Sequence, residues 1–179
     1  MRKLKNDELE RLTIEEFHAA KKTPVVIVLD NVRSMNNIGS AFRTADAFRL
    51  EKVLLAGITA QPPHRDIHKT ALGATETVAW QYFKTSQQAI TWLKDSNYII
   101  LAVEQAKGSH SLEQFMPEPN KKYALIFGNE VKGVSDEVMD LADGCLEIPQ
   151  IGSKHSLNIS VSIGILLWDF AQKLKVFNS

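Results

Sequence analysis

The sequence predicts an α/β protein built on one parallel, doubly wound sheet. Four short apolar runs recur along the chain, and such continuous runs are typical of strands buried on both faces. Stretches with apolar residues at helical spacing separate them. Alternating strands and helices in 179 residues indicate one domain around a parallel sheet. The runs lie at residues 24–29 (PVVIVL), 53–57 (VLLAG), 98–103 (YIILAV) and 123–127 (YALIF).

The first element in chain order is a short amphipathic helix predicted over residues 7–20, with an apolar stripe formed by Leu9, Leu12 and Phe17. We therefore expect a single domain that spans residues 1–179, in which residues 1–23 form a short helical extension at the amino terminus. The first strand follows, and a polar loop leads from it into a second helix. That helix is indicated by five apolar residues at helical spacing: Ile38, Ala41, Phe42, Ala45 and Phe48.

The second half of the chain repeats the alternation. After the strand at 53–57 we expect a loop at 61–66, a strand at 78–82 and a short helix at 87–93. Beyond the strand at 123–127, Ser135 is placed to cap a helix whose first turn is acidic. A last short strand at 145–148 precedes a long, very apolar helix at 157–174.

Composition and missing motifs exclude several classes of protein. The 21 Lys and Arg residues balance 21 Asp and Glu residues, so net charge alone does not support a nucleic-acid partner. The single Cys145 cannot form an internal disulfide, and no CxxC pair offers a zinc site. Met1 is not followed by an apolar leader, and no apolar stretch is long enough to span a bilayer. We therefore expect a cytoplasmic protein with no metal and no membrane partner.

Common nucleotide-binding fingerprints are also absent. A P-loop carries Lys directly after its second glycine, whereas here Val134 follows Gly133. No GxGxxG follows a strand, which disfavours a nicotinamide-dependent oxidoreductase. Ligands of doubly wound sheets bind beyond the carboxyl ends of the strands. The loops after residues 29, 103, 127 and 148 are therefore expected to carry the chemistry.

The first informative segment is NNIGSAFRTA at residues 36–45, which follows a strand and opens a helix. Asn36, Ser40 and Arg43 share one face of that helix, while its apolar residues take another. Helix amino ends attract anions and arginine binds phosphate bidentately, so Arg43 is a candidate phosphate ligand. In the alternative interpretation, Asn37 caps the helix and Arg43 forms a surface ion pair.

The second and third segments also lie at strand ends. In FGNEVKGV, Gly128 ends a strand where a ligand can approach the backbone, and Glu130 follows. In IPQIGSKHSLNIS, a strand runs through a Gly/Ser loop into an apolar helix that begins with Ser156, Asn158 and Ser160. The alternatives are a turn with an exposed Glu130 and polar residues that only satisfy helix N–H groups.

Taken together, the three segments resemble the signature motifs of the SpoU–TrmH family of RNA 2′-O-ribose methyltransferases, in the family's order. The resemblance covers the chain from about Val25 and extends to AVEQ at residues 102–105. Gln150, where the family commonly has an apolar residue, is a mild departure. The resemblance implies an α/β knot, in which the C-terminal segment threads a loop to make a trefoil knot. The resemblance also implies a homodimer with sites built from both subunits. We expect the helix around Trp168 to form much of the interface. In the alternative interpretation, this helix is buried within one subunit.

The resemblance further implies a cofactor, S-adenosylmethionine, with S-adenosylhomocysteine as product. The family's cofactor contacts map onto Val103, Glu104, Gly128, Ile148 and Leu157. The family's functional polar residues map onto Asn37, Arg43, Glu130, Ser156 and Asn158. The implied reaction is methylation of a ribose 2′-hydroxyl in a structured RNA.

Arg43 is the residue that the resemblance places nearest the reaction. Arginine stays protonated at working pH and is a poor general base. We therefore expect Arg43 to clamp the neighbouring phosphate or to stabilise the developing alkoxide, with Glu130 pairing to it.

Two other functions are left open by the sequence, methylation of an RNA base and non-catalytic RNA binding by the same fold. The sequence does not identify the substrate RNA. We favour tRNA over rRNA because single-domain members often act on it. The loop at 62–69, which contains His64, Arg65, His68 and Lys69, is either a further RNA contact or a polar surface loop.

Overall fold

A computed structural model describes residues 1–5, 8–9 and 11–178 of the chain. Its strands form one seven-stranded sheet in which every pairing is parallel. The strands are β1 (Thr23–Asp30), β2 (Leu50–Ala56), β3 (Trp80–Phe83), β4 (Tyr98–Val103), β5 (His110–Ser111), β6 (Lys122–Phe127) and β7 (Gly144–Glu147). The helices are α1 (Ile14–Ala19), α2 (Met35–Ala47), α3 (Arg65–Ala71), α4 (Ala74–Thr77), α5 (Ser86–Asp95), α6 (Asp136–Leu141) and α7 (Ile159–Lys173).

The strand order is β3-β2-β1-β6-β4-β7-β5. The chain winds outward from β1 to β3 on one side, and on the other side β6 returns to lie between β1 and β4, and β7 between β4 and β5. The predicted doubly wound parallel sheet is confirmed. Register places the ends of the central strands at one level, with Phe127 opposite both Leu29 and Val103, and Val103 opposite Leu146. The loops after β1, β4, β6 and β7 therefore leave the sheet at the same edge.

Two apolar layers cover the sheet because alternate residues of each strand point to opposite faces. Val25, Ile27 and Leu29 of β1 belong to the layer formed with α1 to α4 and α7. Val26 and Val28 belong to the layer formed with α5 and α6. All five side chains are buried, which explains why β1 is continuously apolar in sequence.

The amino-terminal helix is shorter than predicted. It begins at Ile14 because Thr13 and Glu16 close a capping box there, each side chain binding the other's backbone N–H. Within the range predicted for this helix, residues 7 and 10 lie outside the described residues. The prediction is thus wrong about where the described helix starts and right about its end.

The stretch between β2 and β3 also differs from the prediction. It contains α3 and α4, and β3 starts at Trp80, two residues later than expected. Only Ile67 and Ala71 of α3 are buried, so two apolar positions were too few to reveal a helical period.

The helix α7 has one buried and one exposed apolar side. Ile163, Leu166, Leu167, Phe170 and Ala171 are buried. Val161, Ile165 and Trp168 are 49%, 37% and 54% exposed. Among the helices that the structure describes, none has the length and apolar character needed to cross a membrane.

Candidate active site

A cavity of about 620 Å³ opens at the carboxyl ends of β4, β6 and β7. Small-molecule sites commonly have volumes of roughly 300–1,000 Å³, so the cavity is large enough for a cofactor. The loops after these strands and the segment before α7 form its walls. Its apolar lining consists of Val103, Phe127, Val131, Val134, Leu146, Ile148, Leu157 and Ile159.

The Glu130 carboxylate accepts three hydrogen bonds at the rim of this cavity. The donors are the backbone N–H groups of Arg33 and Ser34, at 3.0 and 2.9 Å, and Nδ2 of Asn37 at 3.1 Å. Desolvation raises the pKa of the Glu130 carboxyl, but the bonds from Arg33, Ser34 and Asn37 outweigh it and lower the pKa below its ordinary value. Glu130 is therefore an ionised acceptor that ties the loop after β6 to the start of α2.

A hydrogen bond between two asparagine side chains joins the start of α2 to the start of α7. Nδ2 of Asn158 donates to Oδ1 of Asn37 at 3.3 Å. Asn158 is also the N-cap of α7, since its Oδ1 accepts from the backbone N–H and the hydroxyl of Ser160, at 2.9 and 2.6 Å. The interpretation of Asn37 as a helix cap is wrong, because Ser34 caps α2.

Two glycines shape the loop after β6. Asn129 and Gly133 exchange backbone hydrogen bonds of 3.0 and 2.8 Å, which folds the loop back on itself. A Cβ on Gly128 would collide with the backbone of Gly133, and Gly133 has a φ of +67°. The Glu104 carboxylate accepts from the N–H of Val134 at 3.0 Å and so holds the loop against β4. Glycine is therefore required at position 128 because the loop folds back against it. The sequence suggested only that a ligand could approach the backbone there.

Asn129 and Asn31 are structural residues of the site that sequence reasoning missed. Nδ2 of Asn129 donates to the carbonyl of Asn31 at 2.8 Å, which joins the loops after β6 and β1. Oδ1 of Asn129 accepts from the N–H groups of Val131 and Lys132 at 2.9 and 3.2 Å. Asn next to Gly at a strand end favours such side-chain turns, and this was the available signal.

Arg43 lies outside the hydrogen-bonded network and does not line the cavity. Its side chain is exposed on α2 and, within the described part of the chain, makes no hydrogen bond or ion pair. It lies six positions after Asn37, which puts the two side chains roughly 120° apart around the helix. The expected pairing of Arg43 with Glu130 is not formed, because Glu130 binds Asn37 and backbone N–H groups instead.

The predicted site residues are otherwise brought together. All of them line the cavity except Asn37, which contacts two lining residues, and Arg43. The predicted residues on the cavity wall are Val103, Glu104, Gly128, Glu130, Ile148, Ser156, Leu157 and Asn158. Three strand-end loops thus meet at one pocket, as expected from the fold, and the catalytic and cofactor roles of these residues stay predictions.

A model of the SpoU rRNA Methylase family matches residues 24–168, a stretch that contains all three informative segments. The chain belongs to the SpoU rRNA Methylase family. The resemblance found in the sequence is confirmed.

Curated relatives of this SpoU-family chain include a tRNA and an rRNA enzyme. It is 28% identical over 169 residues to the tRNA (guanosine(18)-2'-O)-methyltransferase of Thermus thermophilus, an alignment that covers 94% of this chain and 85% of the relative. It is 27% identical over 166 residues to the 23S rRNA (guanosine-2'-O-)-methyltransferase RlmB of Haemophilus influenzae, with coverages of 93% and 67%.

A solved structure of an AdoMet-bound rRNA methyltransferase from Sinorhizobium meliloti superposes on the SpoU-family chain with a TM-score of 0.78 and 26% identity. The superposition covers 85% of this chain and 57% of that one, so the chain spans little more than half of that protein.

The charged residues of this SpoU-type cavity are mainly acidic. Glu104, Glu130 and Glu147 line it, alongside a single lysine, Lys132. The arrangement therefore favours a ligand with positive charge near these carboxylates. Among residues 1–5, 8–9 and 11–178, no group of three or more His, Cys, Asp or Glu side chains is placed to hold a metal ion.

Proposed function

We propose that this chain transfers the methyl group of S-adenosylmethionine to a ribose 2′-hydroxyl of a structured RNA. The observation that carries the proposal is the pocket at which the three segments converge, with Glu130, Asn37 and Asn158 joined by hydrogen bonds at its rim. The enzyme class and the cofactor expected from the sequence are confirmed by the family and by the AdoMet-bound relative.

The residues of the cavity fit this cofactor. S-adenosylmethionine supplies a methyl group on a positively charged sulfonium, so the electrophile comes with it. Carboxylates at the cavity wall complement that charge, and the apolar lining suits the rest of the molecule. The residues that we assign to holding it are Val103, Glu104, Gly128, Ile148 and Leu157.

The chain's own residues must bind and orient the ribose. Arginine is the side chain suited to phosphate, and the exposed Arg43 makes no hydrogen bond or ion pair with the described residues. We assign Arg43 to the phosphate next to the reacting ribose or to the alkoxide that develops at its 2′-oxygen. Glu130 fixes Asn37, and Ser156 and Asn158 complete the polar wall on the ribose side.

We further propose that the site is completed in a homodimer. Two features support this: Arg43 lies outside the cavity of its own chain, and Val161, Ile165 and Trp168 form an exposed apolar side of α7. In such a dimer, Arg43 of one subunit serves the cavity of the other.

Mixed dimers test this arrangement. Arg43→Ala and Glu130→Ala proteins, each of which we expect to be inactive alone, are co-expressed so that half of the dimers are mixed. If Arg43 acts across the interface, each mixed dimer contains one intact site, and about a quarter of wild-type activity returns. Recovery of no activity would place Arg43 and Glu130 in the same subunit's site.

For the substrate we propose tRNA ahead of rRNA. The tRNA relative from Thermus thermophilus is matched over 85% of its length, against 67% for the rRNA relative from Haemophilus influenzae. The alignment therefore includes a larger share of the tRNA relative.

The C-terminal trefoil knot is likewise a proposal. Two contacts support it: Nε2 of Gln105 donates to the carbonyl of His155 at 2.7 Å, and Asn158 binds Asn37. The segment before α7 is thereby held between the loop after β4 and the start of α2. A crystal structure in which no loop encircles this segment would refute the knot.

The proposed activity is tested with S-adenosylmethionine that carries a labelled methyl group and with RNA from cells that lack the gene. After the reaction the tRNA and rRNA fractions are digested to nucleosides, and the position of the label is determined by mass spectrometry. We expect a 2′-O-methylated nucleoside from the tRNA fraction. Label on a base, or no transfer despite cofactor binding, would contradict the proposal.

A further inference from the structure

We propose that the outer face of α3, formed by Arg65, His68 and Lys69, is an RNA-docking surface that extends the site occupied by Arg43. The proposal rests on the proposed function, since it takes an RNA phosphate near Arg43 as its starting point. We call these three residues the α3 cationic face.

The helix α3 presents these residues outward by its periodicity. Arg65, His68 and Lys69 are at positions i, i+3 and i+4, which share one side of a helix, and all three are exposed. Ile67 and Ala71 are buried on the opposite side. The α3 cationic face is therefore open to a partner along its whole length.

Close packing on α2 fixes where this face lies. Gly39 forms a notch in the surface of α2 that lets α3 approach closely, because a Cβ there would collide with the Thr70 hydroxyl and the Ile67 carbonyl. Oγ1 of Thr70 also donates to the carbonyl of Asn36 at 3.3 Å. Arg43 is four residues beyond Gly39 on the same side of α2, roughly 6 Å along the axis. Packed helices lie about 8–10 Å apart, so the α3 cationic face and Arg43 are carried by adjoining helices.

The charges on this surface are mostly free. Lys69 and Arg43 have no ion-pair partner among the described residues, and the exposed Arg33 side chain just before α2 has none either. Arg65 contacts the neighbouring Asp66 through Nε at 3.2 Å, with its side chain 92% exposed, which leaves its terminal nitrogens for a ligand. The net charge of the chain is zero, so this concentration of unpaired cations is local.

A polyanion matches this surface better than a small anion does. The cations are exposed and are spread over α3, α2 and the segment just before α2, so each can meet a separate phosphate of one backbone. An RNA strand whose reacting ribose is held near Arg43 would thus place its neighbouring phosphates over α3.

The experiment compares an Arg65→Gln/Lys69→Gln double variant with a control, Lys94→Gln/Lys121→Gln. The control removes the same charge from exposed positions on α5 and before β6, away from the α3 cationic face. A third protein, Arg65→Lys/Lys69→Arg, keeps the charge. RNA affinity is measured over a range of salt concentrations with the tRNA and rRNA fractions from cells that lack the gene, together with KM, kcat and cofactor affinity.

We expect the α3 double variant to bind RNA at least tenfold more weakly at about 0.1 M salt, and its salt slope to fall by roughly 0.7–0.9 per lost phosphate contact. The KM for RNA should rise in parallel, while kcat at saturating RNA, cofactor affinity and melting temperature match wild type. The control and the charge-keeping protein should bind as wild type does.

RNA affinity of the α3 double variant equal to that of its control would overturn the proposal. So would a loss that the charge-keeping protein shares in full. Because RNA binding is read without turnover, this result is separate from the proposed activity, whose failure would show as absent 2′-O-methylation by the wild-type protein.

Discussion

The charged side chains on the two sides of α2 differ in whether they have partners within the chain. On one flank, Glu130 has its carboxylate satisfied by Asn37 and by the backbone of Arg33 and Ser34. On the other, Arg43 is exposed and unpaired among the described residues, as is Lys69 on the adjoining helix α3. We call the Glu130 side the acidic flank and the Arg43 side the basic flank. The acidic flank is assembled by contacts within the chain, whereas the basic flank has exposed donors, which the proposed function assigns to the substrate.

The largest effect is expected on the acidic flank. Glu130→Ala leaves two backbone N–H groups and the Asn37 amide without their acceptor, which typically costs about 1–3 kcal/mol per buried group and somewhat less at a partly exposed rim. We expect at least a hundredfold loss of methyl transfer and a lower melting temperature. Activity assays and thermal unfolding measure both. Unchanged stability would show that Glu130 does not organise the loop.

A smaller effect is expected where the acidic flank reaches α7. Asn158→Ala removes a helix cap, worth about 1 kcal/mol, and the contact with Asn37. Asn158→Asp keeps an oxygen for the cap and removes the amide donor. We expect Ala to lose both stability and activity, and Asp to lose mainly activity. Equal unfolding midpoints for the two variants would contradict the role of Asn158 as the cap.

The acidic flank should also respond to pH. The pKa of Glu130 in the folded chain lies below its ordinary value of 4.5, so its stabilising contribution is complete above that value and is lost as the pH falls through the folded pKa. Wild type should therefore lose stability below about pH 4.5 more steeply than Glu130→Gln does. The difference between the two curves also removes the opposite contribution of Asp30, whose pKa burial raises. Parallel curves would contradict the assignment.

The smallest effect on stability is expected on the basic flank. Arg43→Gln and Lys69→Gln change exposed side chains that have no partner in the part of the chain that the structure describes, and such changes usually alter stability by no more than about 0.5 kcal/mol. Chemical denaturation measures this directly. A loss above 1 kcal/mol would show that these residues support the fold, and the contrast between the flanks would no longer hold.

The sequence predicted those parts of the molecule that depend on local pattern. The buried strands are continuous apolar runs in the sequence. The N-cap Ser135 and the acidic first turn of α6 are also recognisable there. The convergence of three loops followed from the rule that parallel strands end at one edge. The capping of α2 by Ser34 and the folding of Gly128 against Gly133 depend on exact backbone geometry, which pattern does not specify.

The partners of Glu130 could not be predicted for a different reason. Its donors, Arg33, Ser34 and Asn37, lie more than ninety residues away in sequence, so the pairing depends on the register of β1 with β6. Opposite charge suggested Arg43 as the partner, but the α-helical turn directs Arg43 away from Asn37. Helix α3 was missed because its packing on α2 depends on a glycine notch and leaves few apolar residues.

The most direct test of the contrast is single-turnover methyl transfer by the Arg43→Ala protein at saturating S-adenosylmethionine and RNA, with cofactor affinity measured beside it. Loss of one charge-stabilising donor typically lowers a rate by about 10²–10³. We predict wild-type cofactor affinity and stability with a rate at least a hundredfold lower. A wild-type rate, or a rate lost together with cofactor binding, would contradict the assignment of Arg43 to the substrate.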